Sequence, residues 1–310
     1  RGIPTINGRP DESLSDIVFG DPDINVTTLE ATIFRGMVSH KLSETSKANL
    51  SVTSSSFEKL YQNLYASGYD GTLVTMDGYL DPTERDNFIV SGNLINEMTI
   101  GDTTHTLLVG YEIVDTENKN TRYDTYWSTT KKDKESFNIT RPMDFTVNSA
   151  GVATSVDFTT KLKSRTESDI EVSSFYVQDQ IDVNDNLKVM LGARFDTFDI
   201  TVRDLKSGTA QSREDDEVSP RAGVIYKPAE NISWYISYSE SFLPRSGEQF
   251  KKLTADAARL DPDVFENTEV GVKWSLTDDL YFTAAYFDSE QTQAVRDSVT
   301  GENSEIVGLQ

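Results

Sequence analysis

The chain has 310 residues, with 29 lysines and arginines against 51 aspartates and glutamates, a formal net charge of −22 and no cysteine. That balance excludes a nucleic-acid partner, whose phosphates need a basic surface. The missing cysteine excludes disulfide frameworks and thiolate sites. No apolar run approaches the roughly 18–20 residues that a helix needs to cross a bilayer, whereas barrel strands cross with about 9–11 alternating residues.

The chain opens Arg1-Gly2-Ile3-Pro4, without initiator Met or signal peptide, and stops at Ile306-Val307-Gly308-Leu309-Gln310, where a strand is about to begin. Both ends read as truncated. Helical periodicity is scarce, while period-two alternation rich in Val, Ile, Thr, Tyr and Phe recurs throughout. In chain order it predicts ten strands, at 29–41, 48–57, 87–98, 104–115, 170–181, 187–203, 217–228, 232–243, 266–276 and 280–290.

The connections at 42–47, 99–103, 182–186, 228–231 and 276–279 are short and carry the Gly, Asn, Asp, Ser or Pro that hairpins require. Those at 58–86, 116–169, 204–216, 244–265 and 291–305 are long and polar. Short and long alternate without exception, as in an up-and-down membrane barrel with turns on one side and loops on the other. A soluble sandwich has no reason to sort its loops by parity. No linker divides the chain, so 1–310 is predicted to be one all-β domain.

Within the strands, Leu187, Val189, Leu191, Ala193 and Phe195 share one face, while Lys188, Met190, Gly192, Arg194 and Asp196 share the other. Likewise Ile232, Trp234, Ile236 and Tyr238 oppose Ser233, Tyr235, Ser237 and Ser239, and Val270, Val272 and Trp274 oppose Glu269, Gly271 and Lys273. The apolar face is either a core beneath a second layer or a surface in hydrocarbon. Tyr226, Trp234, Trp274, Tyr281 and Phe282 all fall near short turns, where an interfacial aromatic girdle belongs.

Little in the sequence supports catalysis. His40 and His105 stand apart beside short turns and suit interfacial polar positions better than a metal site. No G-x-S-x-G, H-E-x-x-H or phosphate-cradling glycine loop occurs. Asp182-Val183-Asn184-Asp185-Asn186 lacks the glycine and closing glutamate of a calcium loop and reads as a turn. An enzyme is not expected.

Several segments resemble the barrel of TonB-dependent siderophore receptors of the catecholate type. They are Arg1-Gly2-Ile3-Pro4 through Asn7-Gly8-Arg9-Pro10, Phe19-Gly20-Asp21-Pro22-Asp23 and the stretch from Phe57 to Tyr65. Phe175-Tyr176-Val177-Gln178-Asp179-Gln180 and Leu191-Gly192-Ala193-Arg194-Phe195-Asp196 resemble the family's Y-x-Q-D and G-x-R-x-D strand pair. Ser219-Pro220-Arg221-Ala222-Gly223, Tyr238 to Pro244, and Glu266 to Lys273 follow in family order. The resemblance implies part of a barrel of about 22 strands in the outer membrane of a Gram-negative bacterium, with a plug and a TonB-contacting segment upstream of this stretch. It implies uptake of iron as a siderophore complex, energised through TonB, with no cofactor bound directly.

A catecholate–iron complex is aromatic and anionic, and a receptor for it would offer aromatic faces and basic side chains in its long loops. Those loops supply Tyr61, Tyr65 and Tyr69, then Arg122, Tyr123, Tyr126 and Trp127, then Phe242 and Arg245. The alternative is that these aromatics pack the loops against one another. Arg194 and Arg221 are expected to face the lumen, where by resemblance such residues bind plug carboxylates. Two rival functions remain open at this point, an importer of cobalamin or oligosaccharide and a secreted glycan-binding β-protein.

Overall fold

The computed structural model describes residues 3–244, 253, 260–296 and 303–309. All ten anticipated strands are present, and most run further than their hydrophobic alternation. A two-residue hairpin of β1 (Thr5–Ile6) and β2 (Arg9–Pro10) turns through Asn7 and Gly8, both at positive φ, as a tight hairpin demands. One 3-10 turn follows at Glu12–Leu14.

The main sheet contains β3 (Thr27–Lys41), β4 (Ser46–Tyr69), β5 (Leu73–Leu80), β6 (Thr83–Ile100), β7 (Thr103–Trp127) and β8 (Glu135–Asn138). It continues with β9 (Val156–Asn184), β10 (Leu187–Asp204), β11 (Thr209–Ala229), β12 (Ile232–Leu243), β13 (Asp263–Thr277), β14 (Leu280–Arg296) and β15 (Asn303–Leu309). Every pairing is antiparallel. β3, β4, β6, β7 and β9 to β15 form an up-and-down meander, and β5 and β8 join it at the long-loop end. Among the described residues β3 pairs only with β4 and β15 only with β14, so the sheet is an open arc of barrel wall.

Cross-strand register decides what the apolar face meets. Tyr111, Phe175, Phe195 and Val218 stand in one row across β7, β9, β10 and β11. They are 48%, 48%, 44% and 57% exposed, so no second layer covers them. The apolar stretch Leu187–Phe195, at about 3.3 Å per residue and a tilt near 40°, spans roughly 20 Å, close to a barrel's hydrocarbon band. Trp234 pairs with Tyr226 and Trp274 with Phe282 at its short-turn edge, while Tyr111, Phe175 and Phe195 mark the other edge. Beyond Phe195 the same face turns polar through Thr197, Asp199, Thr201 and Arg203, although the ladder to β11 continues to Asp204. Here the strands stand in water. On β10 the inward face stays apolar through Phe198, Ile200 and Val202, but along the start of β11 and much of β7 and β9 both faces are polar, so period-two hydrophobicity vanishes while backbone pairing persists, which is why 204–216 and much of 116–169 look like loop in sequence.

The opposite face is hydrogen-bonded and lines the lumen. Ser39 Oγ donates to Asn49 Oδ1 at 2.7 Å, and Asn49 Nδ2 donates to Asn93 Oδ1 at 2.7 Å. Further round, Arg194 bonds Glu112 at 2.9 Å and Asp196 at 2.8 Å, and Ser174 Oγ donates to Asp196 at 2.5 Å. Among the described residues, the two buried apolar clusters lie at the long-loop end, outside the hydrocarbon band.

Candidate functional site

At Tyr61 β4 leaves the wall, runs on to Tyr69 and folds back as β5, which also pairs with β8 and touches β7 at Tyr79–Asp124 and Leu80–Tyr123. This small sheet has two unlike faces. On one, Leu64, Val74 and Met76 meet Trp127 and Phe137, and Leu14, Phe19 and Phe145 close over them from 3–26 and 139–155. The Trp127 and Phe137 rings lie 5.1 Å apart, and Phe137 meets Phe145 edge-on at 5.5 Å. Arg141 clamps the cap from outside, its Nε 2.9 Å from Asp16.

This corrects the expectation for Trp127. Its side chain is 0% exposed, so it holds the cap together and offers no surface to a ligand. Tyr69 also packs against this core. Its phenol is pushed above its ordinary pKa, first by burial and then by the Asp11 carboxylate.

The other face carries the candidate site. Tyr79 is its hub, with the Tyr61 ring 5.6 Å away and tilted, and the Tyr65 ring 6.0 Å away and nearly edge-on. The Arg122 guanidinium carbon sits 3.9 Å above the Tyr79 ring centroid, a cation–π contact. Asp81 steadies Arg122 at 3.4 Å and takes a 3.1 Å bond from Asn120. The even positions of β7 carry Glu112 and Asn118 on the lumenal side and run on to Arg122, so the cluster looks inward over the barrel mouth. Asp77 and Asp124 flank it, countered by Lys134 at 3.5 Å and Lys163 at 3.2 Å. The result is a π-rich floor with one held, partly exposed guanidinium, suited to an aromatic anion.

The structure thus brings together Tyr61, Tyr65 and Arg122 and adds Tyr79, which lay in a span taken as loop. The signal for Tyr79 was there: Val74, Met76, Gly78 and Leu80 alternate with Thr75, Asp77 and Tyr79. Tyr123 pairs opposite Leu80 and so points to the other side of β7 from Arg122. Tyr126 lies under Lys131, 5.9 Å from its ammonium. Phe242 packs against Ile170, Phe198, Ile200, Val202 and Leu253, which excludes it from the cluster. Arg245 lies outside the described residues. Arg194 and Arg221 share the lumenal face; Arg194 is paired, and Arg221 lies exposed across Gly192. Both oxygens of Asp182 are taken by Lys188 at 2.7 Å, which makes that segment an ion-paired turn.

A lipid-facing girdle, a polar lumen and a built-up mouth define an outer-membrane β-barrel. Residues 9–305 match the family described as TonB dependent receptor-like, beta-barrel, and the chain belongs to that family. It is 31% identical over 146 residues to the TonB-dependent siderophore receptor PiuA of Acinetobacter baumannii, covering 43% of this chain and 20% of that protein. It is 29% identical over 197 residues to the ferrichrome outer membrane transporter/phage receptor of Escherichia coli, covering 63% of this chain and 24% of that protein. The crystal structure of PiuA aligns with a TM-score of 0.78 at 20% identity, over 99% of this chain and 48% of that one. The closed form of the ferric-catecholate import receptor Fiu of E. coli aligns with a TM-score of 0.72 at 16% identity, over 91% and 44%. The chain therefore spans less than half the length of each of these relatives.

Proposed function

We propose that the protein containing this barrel wall imports ferric siderophores, with energy supplied through TonB, and that the Tyr61–Tyr65–Tyr79–Arg122 cluster takes the ligand first. The observation that carries the reading is Arg122 stacked on Tyr79 at the lumenal mouth. A metal-bound aryl anion can slide onto the tyrosine rings and draw charge-assisted hydrogen bonds from the guanidinium. That chemistry favours a catecholate over a neutral cobalamin or sugar. The names of the relatives support siderophore cargo in general.

In the lumen, the exposed Arg221 is suited to receive a plug carboxylate, while Arg194 is already held by Glu112 and Asp196. Cargo would then pass from the mouth cluster into the gap beside the plug.

In the complete receptor, Arg122→Ala and Tyr79→Ala should each weaken ferric-catecholate binding roughly tenfold, the scale of one partly desolvated cation–π contact. Titration with a ferric catecholate, a ferric hydroxamate and cobalamin in parallel separates the cargo classes. Wild-type affinity in both variants would remove the site, and stronger binding of either other ligand would reassign the cargo.

A further inference from the structure

The lumenal wall carries an open hollow at its other end, next to the short turns. It measures about 500 Å³ and lies across β10, β11, β12 and β13. Met190 and Ile225 give it apolar sides, and Tyr235 lies between them and β13. The Tyr235 ring covers Gly271, filling the space a Cβ there would need, and its hydroxyl donates to Glu269. The ring is therefore held both from beneath and at its edge.

Lys188, Lys227 and Lys273 line the same hollow, in a chain whose net charge is −22. Asp182 neutralises Lys188, with both carboxylate oxygens 2.7 Å from its Nζ. Among the described residues neither Lys227 nor Lys273 has a carboxylate partner. Three ammonium groups against Glu269 and Asp182 leave the hollow one positive charge. Lys273 is exposed, with its Nζ 5.6 Å from the Tyr235 ring centroid. Among the described residues four cations stand over tyrosine rings. Arg194 is taken by Glu112 and Asp196, and Lys131 belongs to the turn beyond β7. The two that face the lumen with donors to spare are Arg122 at the mouth and Lys273 at the opposite end.

We propose that the Tyr235–Lys273–Lys227 hollow is a second, weaker station for the ferric aryl anion, met as cargo leaves the barrel on the short-turn side. This rests on the reading that the cargo is a ferric catecholate. An aryl ring enters between Met190 and Ile225 while its oxygens draw charge-assisted hydrogen bonds from the two free ammonium groups. Glu269 faces the same hollow, and its like charge keeps the hold loose. An exit station has to release what it binds. A neutral cargo gains no charge from the lysines.

The test uses the complete receptor in detergent, where the short-turn side opens to bulk solution and ligand reaches the hollow without passing the mouth. A fluorophore on Thr283→Cys, opposite Lys273 in the register but outside the lining, reports a bound iron complex by quenching. The background is Arg122→Ala, which removes the mouth site. A tripodal iron(III) tris-catecholate should quench saturably. Lys273→Ala should raise the half-saturation concentration roughly tenfold, and Lys273→Arg should restore it. Glu269→Gln, which keeps an acceptor for Tyr235, should lower it about threefold, the scale of one solvent-screened charge. A merely structural role for these residues would not shift binding in opposite directions. An uncharged iron(III) tris-hydroxamate should need roughly tenfold more ligand. Absence of saturable quenching, or unchanged half-saturation in Lys273→Ala, overturns the station and leaves the mouth reading standing. Saturable, Lys273-dependent quenching in a receptor whose mouth variants bind as wild type would remove the mouth site and keep this one.

Discussion

At the scale of single residues, what an aromatic does in the outer loops depends on which face of β5 it meets. Tyr79 and Trp127 sit a few ångströms of sheet apart, one serving the mouth and the other the cap core. Truncating Trp127 to alanine leaves a ring-sized void among Met76, Phe137 and their neighbours, and should destabilise the cap by about 3–5 kcal/mol. Limited proteolysis would detect it as faster cleavage within 128–155 while the membrane strands stay intact. A second residue-scale consequence concerns acid. Asp157, at the start of β9, is lowered to a pKa of about 2 by hydrogen bonds from Thr160 and Thr159. A depressed folded-state pKa stabilises above the ordinary value of 3.8 and loses that contribution as pH falls from there toward 2. Amide exchange at Thr159 and Thr160, corrected for intrinsic rates, should therefore rise across that window, and Asp157→Asn should remove the pH dependence. Tyr61, Tyr65 and Arg122 could be singled out as candidates because aromatic and basic residues in a long loop have the chemistry that an aromatic anion would meet, and the structure clusters them around Tyr79. The fate of Trp127 could not be read, because polar sequence around it gives no hint that 3–26 and 139–155 fold over one side of the sheet.

At the scale of elements, hairpin order and the lipid face could be read directly, since hydrocarbon enforces alternation wherever it touches a strand. Strand ends could not. Water accepts any side chain on the outer face, so β7 and β9 continue there through Glu117, Lys119, Glu167 and Asp169, while the inward Asn118, Asn120, Thr166 and Ser168 are buried polar residues whose order the hydrophobic pattern does not reveal. Side chains then add constraints of their own between neighbouring strands. Gly110 on β7 faces Tyr176 on β9, and the Tyr176 ring fills the space that a Cβ at position 110 would occupy. The same ring lies 5.7 Å from the Arg194 guanidinium, next to the Glu112 and Asp196 ion pairs. Gly110→Ala should push Tyr176 off this arrangement and cost about 1–3 kcal/mol, the usual scale of overpacking. In a Tyr176→Ala background the same substitution should cost much less, and a double-mutant cycle on unfolding in denaturant measures the difference. Equal costs in both backgrounds would show that the glycine answers to something other than the ring.

For the whole molecule, the decisive quantity is the unpaired backbone along the two rims of the arc. Among the described residues β3 bonds only to β4, which leaves the outer N–H and C=O groups of Thr27–Lys41 without strand partners, and β15 stands likewise beyond β14. In hydrocarbon each such group costs several kcal/mol, far more than side-chain contacts at a rim can offset. β3 is also apolar on both faces, with Leu29, Ile33 and Met37 exposed on one and Phe34 and Val38 on the other, so it suits a place between neighbours better than an edge. These 310 residues on their own are therefore expected to yield no stable monomeric pore. In planar bilayers, refolded material should give no steady unitary conductance, and its monomer should lack heat-modifiable mobility. Pairing of β3 and β15 edges between copies would appear as higher oligomers in cross-linking. A steady unitary conductance from verified monomers would mean that the two rims meet within one chain, contrary to the open arc described here.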